Sequence, residues 1–282
     1  MITASCLCGE VGWQYDGAFA SMSHCHCSMC RKHHGTAFVT FVTGPGRGFS
    51  WAGGEGSIRW YRSSEHNRRG FCVRCGAKMP MLLSEHDLAI LPAGPLEGDP
   101  GLRPQRHIFV GSRAPWYTIT DSLPQHAALP PGLSASVVSR PMPETRPDTI
   151  SGSCLCGDVA FEIGAAPRRM YNCHCLRCRR ARSAVHATNV FYPLESFRWV
   201  RGESQLTDYA LPGAPYFGTS FCSRCGGMMP RSGKEHGIVT VPAGSLDTDP
   251  GMRPLAHIYV GSKAPWFEIT DTLPQFAEMR AR

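Results

Sequence analysis

At 282 residues, with 42% hydrophobic and 18% charged residues, the chain has the composition of an ordinary globular protein and length enough for two domains. The formal charge of +7 counts all 14 cysteines as neutral. As thiolates around four divalent ions they would bring it to about +1, so charge gives no argument for a nucleic-acid partner. No apolar run reaches the ~18 residues of a membrane span, which argues against a membrane protein.

The chain begins MITASCLC, without the basic start or apolar stretch of a secretion signal. A cytoplasmic location is therefore expected, where thiols stay reduced and cysteines serve as metal ligands rather than disulfides. Cys6-x-Cys8-Gly9 is followed by alternating Val11, Trp13 and Tyr15, which predicts a strand with one buried face. Cys25-x-Cys27-x-x-Cys30 comes next, with a short helix or turn expected after Cys30. Ala37 to Val42 is a β-rich run. Cys72-x-x-Cys75-Gly76 reads as a zinc knuckle, whose glycine lets backbone N–H groups turn toward sulfur. His107-Ile108-Phe109-Val110 predicts a further strand. With 30 glycines and 23 prolines spread along the chain, the prediction is mostly β, with small antiparallel sheets around the metals.

Then the order repeats. Cys154-x-Cys156, Cys173-x-Cys175-x-x-Cys178 and Cys222-x-x-Cys225 follow at offsets of 148 to 150 residues, with Phe161 and Ile163 alternating behind the first pair. Residues 91–127 match residues 241–277 at 24 of 37 positions without a gap. A period this long marks duplicated domains rather than a solenoid. The boundaries expected are 1–127, a Pro/Ser-rich linker over 128–149, and 150–282. The change of offset places a net two-residue insertion in a surface loop before Cys222.

Seven cysteines per copy cannot all pair in disulfides. They divide as four plus three: a structural zinc takes four protein ligands, and a catalytic zinc takes three and keeps one position open. Cys6, Cys8, Cys72 and Cys75, with Cys154, Cys156, Cys222 and Cys225, form the closed sets. Cys25, Cys27 and Cys30, with Cys173, Cys175 and Cys178, form the open ones, whose fourth partner could be His24, His26, His174 or water. Sulfur donors select zinc or iron–sulfur, and the absence of a four-cysteine ferredoxin run favours zinc, two ions per copy and up to four per chain.

The order CxC, CxCxxC, FCxxCG, then AGxLxxDPGxRPxxHIxVGSxAPW and LPQ, resembles the glutathione-dependent formaldehyde-activating enzymes, a family that includes centromere protein V. The resemblance implies two tandem Mss4-like β-tent zinc domains. It implies an S-(hydroxymethyl)glutathione synthase, a carbon–sulfur lyase joining a small aldehyde, formaldehyde, to a small thiol, glutathione. It assigns the four-cysteine sets as structural ligands and the triads as catalytic ones. The alternative is a zinc-stabilised module that binds a thiol or a protein without turnover.

Other residues admit two readings each. His26 is a candidate proton donor. Arg31 and Lys32, with Arg179, Arg180 and Arg182, could receive the carboxylates of a peptide-like thiol or only offset thiolate charge. His107 and His257 read as hydrogen-bonded core histidines or as functional ones, and Trp116 and Trp266 as core packing. Gly35 is a candidate contact for the thiol substrate, because a glycine lets a ligand approach the main chain. Ser183 stands at the matching position. On that difference the first copy is expected to supply most of the activity.

Overall fold

The computed structural model describes residues 1–65, 67–132 and 149–279; the greater part of the expected linker, 133–148, lies outside them. The chain is mostly β, two β-tents in tandem, with one short helix in each copy: α1, Ser28–His34, and α2, Leu176–Arg182. Among the described residues no helix is long and apolar enough to cross a membrane.

In the first copy, Ile2–Ser5 and Gly12–Tyr15 form a hairpin whose turn carries Cys6 and Cys8. Leu96–Glu97 and Phe49–Gly53 pair on its two sides. The alternation holds: Trp13 and Tyr15 are each 1% exposed. A second sheet runs Ser21–Cys25, Val39–Pro45, Leu88–Pro92 and Met81–Leu83, with His107–Ile108 added in parallel beside Ser21–Cys25. The hairpin of Ile58–Ser64 and Asn67–Cys72 leads into the knuckle.

The second copy repeats this plan, with Ala160–Ile163 between Ile150–Ser153 and Phe197–Arg201, and Arg169–Cys173 between Ala187–Pro193 and His257–Ile258. The two-residue insertion falls in its knuckle hairpin, between Leu206–Ala210 and Gly218–Cys222, where Tyr216 is 80% exposed. Two details depart from the sequence reading. The strand at His107 stops at Ile108 because Phe109 turns to φ 57, and Tyr259 does the same at φ 58. Both helices start directly after the second cysteine of a triad, so Cys30 and Cys178 lie inside them rather than before them.

The copies share one core. A single buried cluster includes Trp13, Phe38 and Trp116 of the first and Phe161, Tyr192 and Trp266 of the second. Matching positions meet each other: the Phe71 and Phe221 rings pack edge-on at 6.0 Å, and Thr120 Oγ1 lies 2.6 Å from Thr270 Oγ1. Other contacts are reciprocal. Lys32 of α1 pairs with Asp247 at 2.6 Å, and Arg180 of α2, at the same place in its copy, pairs with Glu97 at 2.5 Å. Identical subunits meet in this way about a twofold axis; here the axis runs between two copies in one chain. Close approach at this boundary requires Gly94 and Gly244, where a Cβ would overlap the backbone of Ala184 and of Thr36.

Candidate metal centres and two histidine relays

None of the fourteen cysteines forms a disulfide. Among the described residues, Cys6, Cys8, Cys72 and Cys75 bring all four sulfurs within 4.8 Å of one another, and Cys154, Cys156, Cys222 and Cys225 do the same. Individual separations are 3.4 Å for Cys6–Cys8 and 3.7 Å for Cys8–Cys72, with the same values in the second copy. A tetrahedral ion with sulfurs at about 2.3 Å holds them about 3.8 Å apart, so these sets are already shaped for one. The backbone supports this. Val11 N–H and Val159 N–H each donate to the first cysteine of their set at 3.3 Å. Gly76 and Gly226, at φ 73 and 69, close the knuckles. Without a cation, thiols this close resist ionising together: hydrogen bonding to Cys72 pushes Cys6 far up, and hydrogen bonding to Cys6 pushes Cys75 far up.

The triads differ. Cys173, Cys175 and Cys178 gather within 4.8 Å, and all three are buried. Cys178 N–H donates to Cys175 Sγ at 3.4 Å, so the start of α2 clamps the loop. In the first copy Cys25 Sγ is 3.7 Å from Cys30 Sγ, but the three sulfurs do not all reach that 4.8 Å limit. Hydrogen bonding to Cys30 raises the Cys27 thiol, and hydrogen bonding to Cys25 pushes Cys30 up to about 11.

Beside each triad runs a buried relay. Asp121 carboxylate oxygens lie 2.9 and 3.0 Å from His107 Nε2, and His107 Nδ1 lies 2.9 Å from His26 Nε2. Asp271, His257 and His174 repeat it at 3.2, 3.0 and 2.8 Å. The tautomers follow from the chain of bonds. A carboxylate only accepts, so His107 donates from Nε2 and accepts at Nδ1 from His26 Nε2–H. His26 Nδ1 is then left as a bare acceptor, and it is buried with no partner, as is His174 Nδ1. Burial, and then His107, push His26 down to about 3, so its ring is neutral.

The family described as glutathione-dependent formaldehyde-activating enzyme matches residues 1–112 and again 149–262. This chain belongs to that family. Two matched segments make it a tandem member, with one set of seven cysteines in each. No curated protein matches the chain. A solved structure described as the crystal structure of a Rhodobacter sphaeroides protein, from a structural genomics programme, is 27% identical over 37% of this chain and 97% of its own, with a TM-score of 0.31.

Set in the fold, the residues expected of a formaldehyde-activating site fall in two groups. The cysteines, His26 and His107 come together. Gly35, at the end of α1, lies against the second copy. Arg31 Nε donates to Ser112 O at 3.2 Å. A Cβ on Gly35 would lie 2.8 Å from Met228 Cβ and 2.9 Å from both Arg182 Nη1 and Pro242 Cβ. The glycine is therefore filled over by protein. Ser183 takes the same left-handed backbone, φ 48 against 71, and its hydroxyl bonds Lys78 N and O, each at 3.0 Å. The serine thus follows the glycine into this turn, and those two bonds hold it there. His24 Nδ1 lies 2.7 Å from Thr40 Oγ1. The arginines of α2 are engaged with protein: Arg179 with Gly94 O, Arg180 with Glu97, Arg182 with Asn189. Trp116 and Trp266 are core, each 1% exposed.

Sequence reading missed Arg69. It is 6% exposed and places Nη1 3.5 Å from Cys30 Sγ, with Nε on Ser63 Oγ at 3.1 Å. At the matching place the second copy has Thr219, which donates to Cys75 O at 2.9 Å. The available signal was a cation three residues before Cys72, on a strand position that the other copy fills with a small hydroxyl residue.

Proposed function

We propose that this chain is a zinc-dependent carbon–sulfur lyase or synthase that makes S-(hydroxymethyl)glutathione from glutathione and formaldehyde. In this reading the four-sulfur sets hold structural zinc and the triads hold catalytic zinc, up to four ions in all. The observation that carries the reading is the three-sulfur cluster of Cys173, Cys175 and Cys178, gathered within 4.8 Å with one coordination position left over, in a chain of this family. A zinc ion bound there supplies Lewis acidity and lowers the pKa of a coordinated thiol.

The reaction itself balances without redox change: the thiol sulfur bonds to the aldehyde carbon, and the thiol proton ends on the aldehyde oxygen. The chain's own part is to place groups. In the second copy the triad holds three donors within 4.8 Å of one another. The relay from Asp121 through His107 orients the His26 ring and leaves Nδ1 as an acceptor. Phe38, buried, and Tyr117, half-buried, stand 5.5 and 5.8 Å from His26 and limit water on that side. We assign the larger share of turnover to the first copy, because the Arg69 guanidinium beside Cys30 can steady a thiolate and Thr219 cannot.

The test is formaldehyde consumption with glutathione, measured against the uncatalysed rate, for the wild type and for Cys25/Cys27/Cys30→Ala and Cys173/Cys175/Cys178→Ala. Turnover above background, lost mainly in the first variant, is expected. A rate no faster than background would leave a thiol-binding module instead. Equal or greater loss in the second variant would remove the assignment to the first copy.

A further inference from the structure

We propose that the cleft between the two copies is a binding site for a small anion carrying two or more carboxylates. The cleft has a volume of about 950 Å³ and is walled by α1 and the loop at Ser112 on one side, and by the Ser153–Gly157 turn, Arg201 and the segment around Asp247 on the other. No triad cysteine lines it. Cys154 and Cys156 of one four-sulfur set do.

Its charges decide the class of ligand. Lys32 and Asp247 cancel each other at 2.6 Å, and Lys32 Nζ is further committed to Ser153 O, Ser153 Oγ and Ser245 O at 2.9, 3.0 and 3.2 Å. Three guanidinium groups remain. Arg31 uses only Nε, on Ser112 O at 3.2 Å. Arg201 uses only Nε, on Gly157 O at 2.9 Å. In both, the paired terminal nitrogens keep the fork that receives a carboxylate. Arg113 lines the same wall. Among the described residues none of the three is ion-paired, whereas Arg47, Arg103, Arg180, Arg198, Arg224 and Arg253 all are. Cations grouped in one concave place, where the carboxylate of Asp247 is taken by Lys32, focus a positive field that attracts a multivalent anion. The lining offers planar forks rather than a glycine-rich cradle of amides, and two such forks can each receive one carboxylate of the same ligand. The site exists only because the chain is duplicated: Arg31 and Arg113 come from one copy and Arg201 from the other. The place in the first copy that matches Arg201 is Gly53, so the twofold-related cleft lacks its third cation.

The experiment is calorimetric titration of the metal-loaded full chain with tricarballylate, a tricarboxylate without citrate's chelating hydroxyl, at low and at raised salt. One site per chain is expected, weakening as salt rises. Affinity should be at least about tenfold lower in Arg113→Gln/Arg201→Gln, whose exposed or half-buried positions leave the core intact. Acetate should show no comparable binding. No heat with tricarballylate at low salt would overturn the proposal. So would undiminished binding by the double variant. Tighter binding of inorganic phosphate than of tricarballylate would overturn the carboxylate class.

Discussion

The two copies keep the same backbone around their triads and surround them differently. Phe38 faces the first relay where His186 faces the second, Tyr117 stands for Phe267, His24 for Asn172, and Arg69 for Thr219. The four-sulfur sets, the Asp–His–His relays and the glycines at the copy boundary are the same in both. The shared parts are those with no slack. A tetrahedron of sulfurs, a line of hydrogen bonds between buried rings, and a backbone-to-backbone contact each fail with one wrong atom. Duplication leaves the residues packed around the triads free to change, and there the copies have come apart.

The strongest way to break this comparison is to remove one four-sulfur ligand from either copy. A closed zinc site contributes about 10–16 kcal/mol of binding energy to the folded state, as much as a whole domain's net stability. Because one buried cluster spans both copies, Cys72→Ser and Cys222→Ser should each unfold the entire chain, not half of it. Near-ultraviolet circular dichroism and limited proteolysis of each variant check this. A protease-resistant fragment of about half the chain would show that the copies fold independently.

The boundary glycines test whether the twofold relation is energetic as well as geometric. Gly94→Ala and Gly244→Ala both push a methyl into backbone of the other copy. Backbone cannot rotate away as a side chain can, so each should cost about 2–3 kcal/mol, near the upper end of overpacking. Urea denaturation should give closely similar losses for the two. A cost confined to one of them would mean that the contact on the other side is loose.

Arg69 sharpens the comparison at the triads. Groups that hydrogen-bond a ligating sulfur orient it, and losing one lowers metal affinity by about 10- to 100-fold. Arg69→Thr, which gives the first copy the residue of the second, should weaken zinc binding at one site by about tenfold and leave the other proposed sites unchanged. Arg69→Lys should recover part of the loss. Competition with a chromophoric chelator reads both. An unchanged titration curve would reduce Arg69 to a packing residue.

The two four-sulfur clusters and the triad of the second copy were legible in the sequence because cysteine spacing is nearly a coordinate. The strand alternation at Trp13 and Tyr15 was legible for the same local reason. What the sequence hid was made by folding across distance. His107 is 81 residues from His26, and its strand joins in parallel, so neither spacing nor pattern announces the relay. Arg69 meets Cys30 only because the knuckle hairpin folds over α1. The twofold boundary was hidden most fully. A repeat shows that two units exist and says nothing of which surfaces they share, and Gly35, read as a place for substrate, belongs to that boundary.

Position 35 and its counterpart 183 give the finest test, because the same backbone turn is met by two residues under opposite constraints. At 183 the left-handed conformation costs a serine about 1–2 kcal/mol. Its two hydrogen bonds to Lys78 return about 0.5–1.5 kcal/mol each, so Ser183→Gly should change stability by less than about 1 kcal/mol. At 35 the space is taken by Met228, Arg182 and Pro242 at 2.8 to 2.9 Å, with Arg182 Nη1 the one polar atom among them. Gly35→Ser adds strain and overlap together and should cost about 2 kcal/mol. Equilibrium unfolding of the pair decides it. If Gly35→Ser is as mild as Ser183→Gly, the first copy has room at that turn, and the case for Gly35 as a substrate contact reopens.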